Sequence, residues 1–103
     1  MNITTKDKIG YIKHNKYSDG SESFRFIEAK IKKIVVGKTK TSIYSDKLYT
    51  LDADEIESNT RILNKGNGLM LVGEPFITTP EYSEHCQKVV DYWNEHGAKS
   101  ILD

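Results

Sequence analysis

Three histidines and one cysteine are the side chains best able to bind a metal or attack a carbonyl, and their spacing argues against both. His85 directly precedes Cys86. On a helix such neighbours point about 100° apart, so they cannot serve as base and nucleophile. Cys86 falls instead on an apolar stripe, where a small hydrophobe is expected. A zinc site needs three or four ligands at ordered spacing, and His14, His85, Cys86 and His96 offer none. His85 and His96 share one helix side but lie three turns apart. No metal and no cofactor are expected.

Gly37-Lys38-Thr39 echoes the end of a phosphate-binding loop. Ile31 stands where the first glycine of that loop belongs, and a strand pattern follows where a helix should, so no cradle of amides can form. Gly66-Asn67-Gly68 reads as a turn. Asp52, Asp54, Glu55 and Glu57 lack the alternating oxygen ligands and distal Glu of a calcium loop and read as a solvated acidic turn. No catalytic set emerges, and the chain is not expected to be an enzyme.

The elements that would position these residues are mostly short strands. Lys8 to Lys13 is a β-branched and aromatic run ending in a polar stretch, with Tyr17 to Ser21 as a turn. From Phe24 to Val36, Ile27, Ala29 and Ile31 alternate with charged residues, and then Ile34 and Val36 take the other parity. That change predicts a bulge or bend near Lys32-Lys33. Gly37 to Thr39 is a tight turn into a strand at Lys40 to Ser45, and Leu48 to Leu51 is another short strand. Arg61-Ile62-Leu63 and Leu69 to Val72 flank a hairpin signal. Residues 52–57 could form one helical turn or a loop.

The last element is a helix over residues 80–96. Thr79 can cap it with Pro80 at its first position, or Thr78 can do so with Glu81 completing a capping box. Tyr82, Cys86, Val89, Val90 and Trp93 form one apolar stripe, and Gly97 supplies the stop before a short tail, 97–103. The whole is a single domain, 1–103, with strands over about 8–72. The fold class is mainly β with one C-terminal helix (α+β). A small SH3-like barrel is expected first, and a strongly bent antiparallel sheet with the helix packed on it second.

The chain has 103 residues with 15 Lys plus Arg and 15 Asp plus Glu. That zero is an average. Residues 1–50 hold 11 basic and 5 acidic residues, a net +6, and residues 51–103 hold 4 and 10, a net −6. Two surfaces follow as candidates. Lys13, Lys16, Arg25, Lys30, Lys32, Lys33, Lys38 and Lys40 form a basic one, interleaved with aromatics as in small barrels that bind single-stranded nucleic acid. Asp52, Asp54, Glu55, Glu57, Glu81, Glu84, Asp91 and Glu95 form an acidic one. With 13 Lys to 2 Arg, the basic surface suits phosphate attraction rather than base reading. No apolar run approaches the roughly eighteen residues needed to cross a bilayer. A single cysteine and no signal-like start suit a cytoplasmic protein without membrane contact.

KDKIGYIKHNKYSDGSESFRFIEAKIKKIVV, then TSIYSDKLYTL, resembles small accessory proteins of phages and mobile elements of low-GC Gram-positive bacteria. GEPFITTPEYSEHCQKVVDYW, residues 73–93, is similar to their closing strand and helix, with Phe76-Ile77-Thr78 and Glu81 in place. Gly10, where a β-branched residue is usual, and Pro80 at the helix start depart from the pattern. The resemblance implies an SH3-like fold and carries no functional residue with it. The expected function is a non-catalytic interaction module that binds another protein. The alternatives are an anti-CRISPR-type inhibitor of a host defence nuclease working through the acidic surface, and a non-specific single-stranded nucleic-acid binder. The helix stripe packs on the strands in a monomer or on a second chain in a dimer, and both remain open.

Overall fold

Period-two alternation builds a sheet covered on both faces. The computed structural model describes residues 3–65 and 71–96. Strand β1 (Lys8–Lys16) turns through Tyr17 to Ser21 into β2 (Glu22–Val36). In that turn Gly20 takes φ 88°, the left-handed region that glycine enters without penalty. The Asp19 carboxylate accepts the Ser21 amide at 2.9 Å, the local bonding that makes Asp a turn residue. β1 and β2 pair without a break from Lys8↔Lys30 to Lys16↔Glu22. β3 (Thr41–Ser45), β4 (Leu51–Asp52), helix α1 (Ala53–Asn64), β5 (Phe76–Thr78) and helix α2 (Pro80–His96) follow. The antiparallel sheet has the order β4-β3-β2-β1-β5.

The bulge lies where the parity change puts it. Ile31 pairs with Ser45 but Lys33 pairs with Tyr44, so β2 carries one extra residue, Lys32. The long strand thereby serves two neighbours. Its first half pairs with β1 and its second half with β3.

Cross-strand partners share a face, so the register assigns each helix to a side. On the front, Ile9, Ala29, Ile31 and Ile43 cluster with Leu51 and with Ala53 and Ile56 of α1. On the back, Ile12 and Phe24 cluster with Val90 and Trp93 of α2. The sheet is therefore open, with a helix on each face, and is not an SH3-like barrel. The reason lies in residues 53–64. They form α1, which carries the chain from the β4 edge to the β5 edge, so the sheet is covered rather than closed on itself.

That helix is the main departure from expectation. Asp52 caps it by accepting the Asp54 amide at 2.9 Å, and Arg61-Ile62-Leu63 is its last turn rather than a strand. Leu48 to Leu51 shrinks to the two-residue β4, because the Ser45 hydroxyl and Leu48 backbone bond each other and spend those residues on a turn. Gly37 closes the β2–β3 turn as expected, its amide donating to Lys40 O at 2.9 Å. α2 starts with Thr79 as the cap, its hydroxyl accepting from the Tyr82 amide, and with Pro80 at the first helical position. Cys86, Val90 and Trp93 are buried, as the stripe requires. The Gly66-Asn67-Gly68 turn, Leu69-Met70, the Gly97 stop and the 97–103 tail lie outside the described residues.

Gly10 makes room on β1 for Phe76. The Phe76 ring lies against Gly10 so closely that a Cβ there would come within 2.7 Å of it. Strand β5 can bury its aromatic on the back face because β1 presents no side chain at that position.

Candidate interaction surface

Around and beyond the bulge, the β2–β3 hairpin forms an arm, residues 30–48, much of whose surface is exposed. Residues 30–48 contain six lysines, Lys30, Lys32, Lys33, Lys38, Lys40 and Lys47, and one acidic residue, Asp46. Lys33 and Tyr44 are cross-strand partners, with the Lys33 ammonium 4.7 Å from the Tyr44 ring centroid. Parity puts them on the back face with Val35 and Ser42, whereas Ile34 and Ile43 point to the front core. Lys32 sits in the bulge, Lys38 and Lys40 in the turn, and Lys47 in the turn after β3. Val35 is 44% exposed, Val36 77% and Tyr44 37%.

Among the described residues no lysine of this arm has a carboxylate partner. The ion pairs among the described residues join Lys8 to Glu28, His14 and Lys16 to Glu22, Arg61 to Glu57, Lys88 to Glu84 and His96 to Glu95. Asp46 faces the backbone instead. Its Oδ1 accepts the Lys30 amide at 2.8 Å, and its own amide donates to Lys30 O.

The eight basic residues singled out from sequence therefore divide. Lys30, Lys32, Lys33, Lys38 and Lys40 share the arm, joined by Lys47. Lys13, Lys16 and Arg25 sit at the other end of the β1–β2 ladder, where Lys13 and Arg25 are cross-strand neighbours. The eight acidic residues divide as well. Asp52, Asp54, Glu55 and Glu57 belong to the start of α1 on the front. Glu81, Glu84, Asp91 and Glu95 belong to α2 on the back. Folding thus makes two acidic patches on opposite sides of the sheet, where the sequence suggested one surface.

Several groups that could do chemistry are committed to structure. Burial pushes the Cys86 thiol up to about 11, so it stays protonated at neutral pH. Glu55 shares a hydrogen bond with Glu74, which holds its carboxyl above the ordinary value, with desolvation and the Glu74 and Asp52 charges adding to the effect. Asn59, buried in α1, donates to Pro75 O at 2.9 Å and to Glu74 at 3.4 Å. Thr60 donates to Ile56 O and accepts the Ile77 amide. A cleft of about 400 Å³ opens beside these residues, floored by Ile3 and Ile77 and rimmed by Asp7, Glu57, Arg61 and Asn64. Its one cation, Arg61, is already paired with Glu57 at 3.7 Å.

Among the described residues no group of three or more His, Cys, Asp or Glu is placed to hold a metal ion. No helix among them is long and apolar enough to cross a membrane. Lys47 and Glu74 were not singled out from sequence. The arm's charge count would have found Lys47, but Glu74 becomes significant only through its contacts with α1. Comparison with protein-family models, with curated proteins and with solved structures gives no match.

Proposed function

We propose that this protein is a non-catalytic interaction module whose contact element is the β2–β3 hairpin arm. The observation that carries this is the arm's set of six lysines without an ion-pair partner among the described residues, beside the exposed Val35, Val36 and Tyr44. Like charges gathered at one end repel one another, and a partner of opposite charge relieves that repulsion. The cysteine and the buried amide and hydroxyl groups serve packing and bonding, which fits binding better than catalysis. The family-like strands and closing helix support membership among phage or mobile-element accessory proteins acting in the cytoplasm.

Tagged wild-type protein and a variant with Val35→Ser, Val36→Ser and Lys33→Glu should be compared by affinity capture from the source cell. The wild type is expected to hold a partner that the variant releases. Equal retention by both would overturn the assignment of the arm.

One observation favours a second reading, the inhibitor of a host defence nuclease. α1 places Asp52, Asp54, Glu55 and Glu57 on the face opposite the α2 core. If that patch blocks a nuclease, Asp54→Asn with Glu57→Gln should restore cleavage at excess protein, and unchanged inhibition would refute it.

A further inference from the structure

We infer that the partner of the hairpin arm is a nucleic-acid strand, held along its phosphodiester backbone without sequence reading. This rests on the arm being the contact element and adds the chemical class of what it contacts. Protein interfaces favour arginine, whose planar fork pairs carboxylates bidentately, and are depleted in lysine. The arm has six lysines and no arginine. Compact ammonium groups suit the phosphate attraction that dominates sequence-independent binding, and the missing guanidinium forks remove the commonest means of reading bases.

The layout fits a backbone as well. Lys30, Lys32 and Lys33 follow the strand, and Lys38 and Lys40 continue past its end into the turn. From Lys30 to Val36 an extended strand runs about 20 Å, the axial length of roughly six nucleotides of one strand. The only carboxylate within the arm, Asp46, accepts the Lys30 amide and so is held against the backbone. Asp52, Asp54, Glu55 and Glu57 lie on the opposite face from Lys33 and Tyr44, whereas the carboxylates of α2 share the back face with them. Tyr44 is exposed with the Lys33 ammonium over its ring, and a move of Lys33 to a phosphate would free that face for an unpaired base to stack on.

The test is fluorescence anisotropy of the full chain with labelled single-stranded DNA, across a salt series, with polyglutamate as the acidic-polypeptide control. Wild type is expected to bind with an affinity that falls with salt at a log–log slope of about −3, the value for some four phosphate contacts on a single strand. Lys30→Glu, Lys32→Glu and Lys33→Glu together should abolish binding. The same reversal at Lys13, Lys16 and Arg25 should change it by only a few-fold. Lys38→Gln with Lys40→Gln, both in an exposed turn, repeats the test without burdening the fold, and should lower affinity about tenfold and flatten the salt slope. Tyr44→Ala should weaken single-stranded more than duplex binding.

Absence of DNA binding at low salt, equal loss from the two triple reversals, or equal affinity for polyglutamate and DNA would each overturn the nucleic-acid assignment. None of these would overturn the arm as contact element, because affinity capture with the arm variant tests that separately.

Discussion

At the scale of single residues, the groups that looked reactive are the ones that folding has quietened. Cys86 is fully buried and its thiol is held near 11, so little thiolate exists at pH 8. We expect an aromatic disulfide reagent to leave it unmodified in the native state and to label it only as fast as the chain opens. Immediate labelling would show that the α2 stripe is not packed on the sheet. Glu55 titrates in the opposite sense to most carboxylates. Its folded-state value lies above the ordinary 4.5, because the proton it shares with Glu74 is bonded only after folding. A raised value means the folded state binds that proton more tightly. The contribution is therefore complete below pH 4.5 and is lost as pH rises through the folded value. Glu55→Gln should leave the protein at least as stable at pH 7 and remove that acid-side gain. Urea midpoints of the two proteins from pH 4 to pH 7 check this, and parallel curves would contradict it.

At the scale of elements, side chains stand in for missing strands. Phe24 belongs to the half of β2 that has β1 on one side and no strand on the other. Asn94 of α2 fills that place: its Oδ1 accepts the Phe24 amide at 2.7 Å and its Nδ2 donates to Phe24 O at 2.8 Å. Asp46 does the same for Lys30. Both devices blunt an edge that would otherwise template pairing with another chain. Asn94→Ala should cost about 1–2 kcal/mol by leaving a donor and an acceptor unpaired. It should also raise amide exchange at Phe24 selectively, and exchange unchanged at Phe24 would count against the role given to Asn94. Secondary structure was partly legible at this scale. The bulge, the Tyr17 to Ser21 turn and α2 were marked by parity, turn residues and a 3.6-residue stripe. α1 was not, because its inward stripe of Ala53 and Ile56 continues into a polar residue, Asn59. Asn59 can be buried only because Pro75 O and Glu74 receive its amide from another segment, and no pattern within α1 announces that.

At the scale of the whole molecule, the sheet separates two cores, each covered by a helix with an acidic outer side. The front cluster around Ile9 and Ile56 and the back cluster around Phe24 and Trp93 share no residue. Ile56→Val and Val90→Ala should therefore destabilise additively, to within about 0.5 kcal/mol in a double-mutant cycle. A larger coupling would mean that the sheet transmits strain from one helix to the other. The hairpin arm keeps its lysines unpaired at one end, while the carboxylates of α1 and α2 lie on opposite sides.

Alternation, turn chemistry and the last apolar stripe by themselves determined the long bulged strand, its hairpins and the packed C-terminal helix, because each is a local pattern read over a few residues. Composition alone determined that the two halves of the chain carry net charges of +6 and −6. Only the tertiary structure decided that the sheet stays open, that residues 53–64 form a helix, and that the carboxylates divide between the sheet's two faces. Those outcomes depend on which residues meet across the sheet and at its edges. Burial of Asn59 and the seat of Phe76 over Gly10 are contacts between distant segments, and a distant contact has no period in the sequence.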